Sequence, residues 1–569
     1  MGRYGHSAEE TTVSITSESL SDCPRALSDH GSPSHTKRVA EHMSSHWTPG
    51  RIHQRRWFTL IAICIAVTIT SIDNTIMNVG LPSIVRGVGA SQAQLQWLID
   101  SYTIVFACLL LTMGAIGDKW GRHRTMMIGL VIFGGFSAVA SQADSANSLI
   151  VCRGLMGIGG ALILPATLAI LTNTFEGKER SKAIGIWAAV AGIGVAAGPL
   201  LGGFLLDHFW WGSIFLINVP ICIVAVVMGW FLIPPSKSAE VGHRLDPIGA
   251  ILSIVALVGL LYGIIEIPER GWSSPEVLFA VGAGIIFLGL FTWWEMRSDH
   301  PMLDLNFFRN PRFSAASMTI TINYFVMFGS TFLIVQYFQF ILGYSPLKAG
   351  VMTAPVAVGL MVMSPQSHKL VARWGTTKVV IVGLLVCSAV MVCYGIESII
   401  SSDIGGIVVR AIFGAGLALT ATPATESIMG ALPRDRAGVG SAVNDTTRQI
   451  GGALGVAVIG SLFAWRYHAS LSDLSGLPTE VANDAQNSIG KAIQVSKTLP
   501  ADQAASLLEN AKHAYVSGMR VGVWTCALIL VGAAILAAKF LPSTPGIPEG
   551  DEELRDLEVE AISLDDGIL

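Results

Sequence analysis

Charged residues are scarce in this chain of 569 residues. Aspartate, glutamate, lysine and arginine together make up 13% of it, whereas a soluble globular protein carries about 25%. Hydrophobic residues make up 51%, and the mean hydropathy is +0.57. This composition excludes an ordinary soluble domain and indicates that lipid surrounds most of the chain. A net charge of −4 also argues against a basic nucleic-acid-binding domain, so no nucleic-acid partner is expected.

Signatures of nucleotide, metal and catalytic chemistry are missing as well. The chain has no Gly-x4-Gly-Lys-Ser/Thr phosphate loop and no segment large enough for a soluble ATPase. The eight cysteines follow no metal-ligand or disulfide spacing, and the seven in apolar runs read as packing residues. We therefore expect no catalytic residue, no bound metal and no cofactor. An ion gradient, or the gradient of the substrate itself, must then supply the energy.

Two polar segments flank the apolar part of the chain. Residues 1–56 are rich in serine, histidine and glutamate and lack the apolar core of a signal peptide, so they are predicted to form a disordered cytoplasmic tail. Residues 542–569 are acidic and are predicted to form a second cytoplasmic tail.

Between these tails lie fourteen apolar runs long enough to cross a bilayer as helices, which needs about 20 residues each. The predicted spans are 57–79, 95–117, 125–143, 148–171, 183–206, 214–233, 247–266, 276–296, 314–340, 349–367, 378–396, 404–428, 438–465 and 518–541. The sequence thus predicts an all-α polytopic membrane protein.

Lysine and arginine in the short loops predict the orientation of these spans. With a cytoplasmic N-terminus, sixteen such residues fall in the inner loops and three in the short outer loops. The inner residues are Lys119, Arg122, Arg124, Lys178, Arg180, Lys182, Lys237, Arg244, Arg297, Arg309, Arg312, Lys369, Arg373, Lys378, Arg434 and Arg436, and the outer ones are Arg86, Arg270 and Lys348. Because the bias keeps one sign along the chain, both termini are predicted to be cytoplasmic.

A short internal repeat suggests that the spans form two related halves. Arg153 opens the fourth span and is followed by glycines four and six residues later; Arg410 opens the twelfth span with the same spacing. Two halves with corresponding features are typical of transporters. The repeat predicts six-helix bundles over 57–234 and 297–541. A cytoplasmic linker at 235–246 and an inserted helix pair at 247–296 would separate them, and a partly helical external loop would occupy about 466–517.

The loop after the second span resembles a signature of the major facilitator superfamily, and the chain as a whole is similar to its fourteen-helix drug:proton antiporters. Residues 114–124 contain Gly117, Asp118, Gly121, Arg122 and Arg124 in the spacing of the superfamily's inner loop. The glycines would allow a tight turn. The resemblance implies that Asp118 pairs with an arginine in a latch that controls the switch between inward and outward states.

The fifth span resembles the antiporter motif of this family. Its residues are Gly185, Gly194, Gly198, Pro199, Gly202 and Gly203. Glycines every four residues give a bare helix face that another helix can approach closely, and proline allows a kink. The family carries this motif in exporters rather than in uptake relatives, so the resemblance implies efflux.

Three other segments resemble the fourteen-helix subfamily, and two features depart from it. Residues 71–82, 339–350 and 433–452 carry the likeness. The family often has an arginine between two tryptophans before Phe-x-x-Asn-x-Pro in the sixth span. Residues 211–220 lack it, which leaves a gating role there open. The tenth span also has no acid between Gly350 and Ser367, which argues against dicationic substrates.

Three charged residues fall at similar depth in the outer half of the first bundle. At about 1.5 Å rise per residue, Asp73, Asp100 and Arg153 lie five to six residues from the outer ends of spans one, two and four. Ionisable residues inside a membrane are functional candidates by default, and the resemblance assigns Arg153 to proton coupling. We expect the three to form the proton site. The alternatives are a structural ion pair or an interfacial anchor for Arg153 and, for Asp100, an acid that only hydrates the outer vestibule.

Three further charged residues are candidates for coupling or substrate binding. Glu426 lies near the inner end of span twelve, and Asp445 and Arg448 share a face of span thirteen. The last two also have the spacing of a simple ion pair.

Together these features predict a proton-coupled efflux antiporter in the cell membrane, acting as a monomer on small amphipathic, cationic drugs or toxic metabolites by alternating access. Its partners would be the substrate, protons and lipid. The first alternative is a proton-coupled or facilitative carrier for one metabolite. The second is a membrane receptor or membrane-embedded enzyme.

Overall fold

The computed structural model describes residues 49–175, 177–234, 246–298, 301, 303, 305–396, 403–431, 437–471 and 477–542. Within them the chain forms seventeen α-helices and a short 3-10 helix at Leu305–Arg309, and no β-strand. The helices are α1 Pro49–Val88, α2 Gln92–Trp120, α3 Arg122–Ala140, α4 Ala146–Thr174, α5 Gly177–His208, α6 Ser213–Leu216, α7 Asn218–Leu232, α8 Pro247–Arg270, α9 Pro275–Arg297, α10 Pro311–Phe340, α11 Pro346–Trp374, α12 Thr376–Tyr394, α13 Asp403–Gly430, α14 Ala437–Ser470, α15 Thr479–Asn487, α16 Ile489–Ser496 and α17 Ala501–Phe540. Most of the predicted tails and of the 235–246 linker lies outside the described residues.

Fourteen described helical segments are long and apolar enough to cross a membrane, which confirms the predicted number. Several helices extend beyond the apolar runs from which they were predicted. The first was predicted over 57–79 but runs Pro49–Val88, because a helix satisfies its own backbone hydrogen bonds and can continue past the lipid. The sixth span is divided at Ile217 into α6 and α7. The predicted external loop at 466–517 contains α15, α16 and the first turns of α17.

The internal repeat packs the same way in both halves. In the first bundle, a Cβ at Gly157 of α4 would lie 2.7 Å from the Tyr102 carbonyl oxygen of α2, and Gly159 touches α3 as closely. In the second bundle, Gly414 of α13 touches the backbone of α11, and Gly416 touches α12. The first bundle consists of helices α1–α7, and the second of helices α10–α14 with α17. In each bundle the glycines of the repeat let one helix, α4 or α13, approach the backbones of two corresponding neighbours closely.

The two bundles meet at one end, which we call the closed end. There Gln339 donates to the Val79 carbonyl at 2.9 Å, and Ser345 donates to Asp207 at 3.0 Å. A Cβ at Gly203 of α5 would lie 2.6 Å from Leu347 Cα of α11. On the predicted orientation this end is extracellular. The opposite end, which carries the 117–124 loop, is called the open end.

The inserted pair α8 and α9 packs at the junction of the bundles. The two helices cross closely where Gly259 faces Gly284. From α8, the Ile264 carbonyl accepts a hydrogen bond of 2.8 Å from Ser461 of α14, and Tyr262 lies beside Trp97 of α2. Helix α8 thus touches a helix of each bundle.

Candidate functional site

An ion pair lies buried inside the first bundle. Arg153 of α4 donates to Asp73 of α1 over 2.5 Å, and the side chains are 2% and 0% exposed. Arg153 also donates to the Leu98 carbonyl at 3.1 Å, and its guanidinium lies 4.4 Å from the centre of the Tyr102 ring. Two of the three residues predicted for the proton site are therefore in direct contact. Such a pair is stable only while both partners remain, because a single buried charge is strongly unfavourable.

The broken sixth span supplies a third partner that the sequence reasoning did not assign. Asn218, the first residue of α7, donates to the second carboxylate oxygen of Asp73 at 3.1 Å and to Ser137 at 3.0 Å. Ser137 in turn donates to the Phe215 carbonyl at 2.8 Å. Asn218 belongs to the Phe-x-x-Asn-x-Pro segment, so its position could have drawn attention. The arginine missing before that segment is not needed for this contact.

Asp100 does not join the pair. Arg153 touches the face of α2 that carries Leu98 and Tyr102, whereas Asp100 shares the opposite face with Ile104. Ile104 packs in an apolar cluster with Leu261 of α8 and helix α14. Asp100 is fully buried, and neither carboxylate oxygen has a hydrogen-bond partner among the described residues. Equal depth placed it beside the pair in the sequence-based expectation, but depth along a helix does not fix the face.

The antiporter motif of α5 packs mainly against α1. A Cβ at Gly194 would lie 2.8 Å from that of Ser71, and one at Gly198 would overlap the hydroxyl of Thr75. Pro199 has no N–H, so the Val195 carbonyl one turn earlier loses its usual helix donor. The Thr75 hydroxyl lies 3.1 Å from that carbonyl and can donate to it, and the Ser71 and Ile72 carbonyls of its own helix lie at 3.3 and 3.2 Å. Thr75 was not singled out from the sequence. From the neighbouring helix it can supply the hydrogen-bond donor that the Val195 carbonyl lacks because of Pro199.

The other three glycines of the motif differ in their surroundings. Gly202 sits against Ile76 of α1, and Gly203 against α11. Gly185, near the open end of α5, has no neighbour that an added Cβ would meet within 4 Å. The expected bare helix face therefore exists from Gly194 to Gly203 and does not extend to Gly185.

A cavity lies between the bundles on the open-end side of these contacts. Its lining comes from α1, α5, α10, α11, α12 and α13 and is mostly apolar. Helix α1 contributes Thr75, Asn78 and Val79, whereas Asp73 points away from the cavity into the first bundle. Helix α13 contributes Arg410 and Phe413. Concave, mostly apolar sites with a few polar groups are typical binding sites for small molecules.

The remaining predicted charges lie toward the open end. Glu426 of α13 contacts His368 of α11 at 2.6 Å, and both side chains are exposed. His368 was not singled out, because only acids were sought in the tenth span. Asp445 and Arg448 of α14 approach to 3.7 Å, and Arg448 also donates to Thr425 at 3.3 Å.

The 117–124 loop makes the tight turn expected of its glycines. Gly121 joins α2 to α3 with φ of 111°, a conformation that favours glycine. Arg122 donates to the Ala169 carbonyl of α4 at 3.0 Å, and Arg124 is exposed. The Asp118 side chain lies outside the described residues, so the latch stays a prediction.

A pair of helical bundles around a central cavity, with a buried ion pair in one bundle, is an arrangement typical of membrane transporters. The family model of the Major Facilitator Superfamily matches residues 63–456. The chain belongs to this superfamily, and it is therefore a multi-pass membrane transporter rather than an enzyme.

Several curated relatives match this chain along nearly their whole length. The multidrug efflux pump LfrA of Mycolicibacterium smegmatis is 32% identical over 495 residues, covering 86% of this chain and 97% of the relative. The methyl viologen resistance protein SmvA of Salmonella typhimurium is 35% identical, covering 84% and 97%. The tetracenomycin C resistance and export protein of Streptomyces glaucescens is 30% identical, covering 86% and 93%.

Solved structures share the fold. A bacterial homologue of the human lysosomal transporter Spinster, in an inward-facing and unoccupied conformation, matches with a TM-score of 0.60 at 17% identity, covering 86% of this chain and 99% of that one. The xylose transporter XylE from E. coli, in an inward-open conformation, matches with a TM-score of 0.52 at 12% identity, covering 88% and 98%. At these identities the likeness concerns the fold alone.

Proposed function

We propose that this chain is a proton-coupled exporter of small amphipathic compounds, with Asp73 and Arg153 as its coupling pair. The observation that carries the proposal is the two-sided character of α1. One face of this helix holds Asp73 in the buried pair, and the other lines the central cavity through Thr75 and Asn78. A change of charge on the first face therefore acts on a helix that contributes to the binding cavity.

Protonation of Asp73 would remove half of the ion pair. The carboxyl would lose its charge-assisted bond to Arg153, and the bond from Asn218 would weaken for the same reason. Because α4 and α7 hold α1 through these contacts, the change alters how α1 sits within its own bundle. Helix α5 packs on α1 through Thr75 and its own glycines, so a movement of α1 also moves α5, which contacts α11 of the other bundle. The two bundles then exchange the closed and open ends by rocking about the cavity.

The outward direction of transport rests on the relatives and on the motif. Three relatives at 30% identity or more are named for efflux, resistance or export. The glycine face of α5 also packs as the antiporter resemblance leads one to expect. A carrier that takes up one metabolite is the alternative, and the direction of proton-dependent flux separates the two.

The roles of the other candidate charges stay predictions. Asp100 is a second acid that could take up a proton, at a place separate from the pair. The preference for cations rests on Glu426 and Asp445 near the open end, where they would attract a positive solute. No aspartate or glutamate is among the described residues that line the cavity.

The test is efflux of ethidium from cells that express the chain, with and without a protonophore. Asp73→Asn keeps the size of the side chain and removes its titration. We expect the protonophore and the variant each to reduce efflux to the level of cells without the chain. Asp144→Asn, an exposed acid outside the bundle interior, is the matched control and should keep the wild-type rate.

Full efflux by a well-expressed Asp73→Asn variant would refute the coupling role of the pair. Efflux that survives the protonophore would refute proton coupling itself. Proton-driven accumulation of a solute inside the cells would favour the uptake carrier.

A further inference from the structure

Arg410 occupies the wall of the central cavity. It is 2% exposed, and it comes from α13 of the second bundle. Its guanidinium donates to the Met352 sulfur at 3.4 Å and lies 4.6 Å from the centre of the Phe338 ring. These contacts fix the plane of the guanidinium from two sides, one from α11 and one from α10. Arg410 is thus a held cation at the edge of a largely apolar space.

The chemistry of the cavity wall is uneven. Most lining residues are aliphatic or aromatic, and the polar remainder consists of hydroxyl groups, Asn78 and Arg410. Among the described lining residues Arg410 is the one with a full charge. A wall of this kind accepts an apolar body anywhere but favours an electron-rich group at one place.

Asn78 adds a second polar group from the first bundle. It is 5% exposed, it lines the same cavity, and its side-chain oxygen has no hydrogen-bond partner among the described residues. A buried amide oxygen without a partner is unfavourable, so such a group marks a place where a ligand can contribute a donor. Asn78 and Arg410 therefore offer polar groups to one cavity from opposite bundles.

We propose that Arg410 and Asn78 form a polar site in which Arg410 binds a carboxylate of the transported molecule and the Asn78 oxygen accepts a hydrogen bond from a neighbouring donor group of that molecule. The planar guanidinium fork matches the geometry of a carboxylate. The side-chain oxygen of Asn78 would accept a hydrogen bond from a neighbouring hydroxyl or N–H group. The apolar remainder of the cavity would take the body of the molecule. The favoured substrate is then an apolar compound with a carboxylate next to a hydroxyl or N–H group, and a positive charge elsewhere on the molecule is compatible with this site.

The inference rests on the proposed function for the direction of transport, but its binding step does not. A substrate held by both bundles would be released when the bundles move apart, because Asn78 and Arg410 separate with them. Binding at equilibrium, without any proton gradient, tests the site by itself.

The test compares two fluorescent dyes of one ring system, rhodamine 110 with a free carboxylate and rhodamine 123 with the methyl ester. Binding to the purified full chain is followed by fluorescence anisotropy. We expect the wild type to bind the acid more tightly than the ester. Arg410→Gln should weaken binding of the acid about tenfold or more, since it removes hydrogen bonds to a charged group, and should change binding of the ester less than threefold.

Arg520→Gln is the matched control, because Arg520 lies in the same bundle, donates to the Gly395 carbonyl and does not line the cavity. It should leave both dyes unaffected. If Arg410→Gln fails to fold, Arg410→Lys keeps the charge without the fork and should show an intermediate loss for the acid. Equal binding of the acid by wild type and a folded Arg410 variant, or no binding of the acid at all, would overturn the site. In that case proton-coupled ethidium efflux would still support the proposed function. Loss of proton-coupled efflux with intact dye binding would instead refute the proposed function and leave the binding site supported.

Discussion

The two arginines of the internal repeat end in different surroundings. Arg153 reaches the first helix of its bundle and meets the carboxylate of Asp73, deep inside that bundle. Arg410 also reaches the first helix of its own bundle, but there it meets the ring of Phe338 and borders the cavity. The backbone around them is alike, since Gly157 and Gly414 make corresponding close contacts. One architecture thus places one arginine in an ion pair within its bundle and the corresponding arginine beside the cavity.

The comparison suggests a division of labour between the halves. Substitutions around Arg153 should disturb coupling, and substitutions around Arg410 should disturb the choice of substrate. Substitutions of the shared glycines should destabilise both halves, because they act on packing alone.

The largest effect is expected for Arg153→Gln. The change leaves Asp73 buried without its charged partner, which costs about 3–5 kcal/mol of stability, and it should abolish efflux. The midpoint of thermal unfolding, measured by fluorescence-detected size exclusion, reports the stability. The double variant Arg153→Gln/Asp73→Asn should recover most of the stability and none of the coupled efflux. Recovery of coupled efflux in the double variant would show that the pair is structural only.

A smaller effect is expected for Asn218→Ala. This change removes one hydrogen bond to the Asp73 carboxylate, worth about 1.5–3 kcal/mol for a charged group. The maximal efflux rate should fall roughly tenfold or more, while the substrate concentration at half-maximal rate should stay the same, because Asn218 does not line the cavity. Asn323→Ala is the control, since Asn323 of α10 is equally buried at 1% exposure. A change in apparent affinity rather than rate would contradict this role for Asn218.

The smallest effect is expected for Gly157→Ala and Gly414→Ala. Each added methyl group meets a backbone carbonyl of a neighbouring helix, and overpacking of this kind costs about 1–3 kcal/mol. Both thermal midpoints should fall, and that of Gly414→Ala should fall further, because its added Cβ would lie 1.9 Å from a carbonyl oxygen, compared with 2.7 Å for Gly157→Ala. Gly185→Ala meets nothing within 4 Å and should leave the midpoint unchanged or raise it slightly. A loss confined to one half would break the structural equivalence of the repeat.

The fold was readable because its causes are local in the sequence. An apolar run of about 20 residues determines a membrane helix whatever its neighbours are, so the count of fourteen is confirmed. The repeat predicted two bundles because Arg153 and Arg410 carry the same glycine spacing. The ends of the helices were less readable, as α1 and α17 continue well past their apolar cores.

The candidate site was readable only in part, because contacts depend on which face of a helix meets which neighbour. Equal depth brought Asp73 and Arg153 together correctly, but it also included Asp100, which faces α8 and α14 instead. Asn218 and Thr75 were missed because the sequence does not show which group a side-chain amide or hydroxyl of a membrane helix will contact. Here the contacts are a carboxylate for Asn218 and a carbonyl next to a proline for Thr75. His368 was missed because only acids were sought in its span, and its contact with Glu426 of another helix gives no signal in the sequence.

The sequence by itself determined that this chain is a fourteen-helix membrane transporter of the major facilitator type, because apolar runs and the motifs that resemble this family are both properties of short segments. Only the tertiary structure decided which charges meet, which end of the bundles is closed, and that Arg410 rather than an acid borders the cavity. These features arise from the rotation and approach of helices far apart in the chain, and the identity of a residue does not encode them.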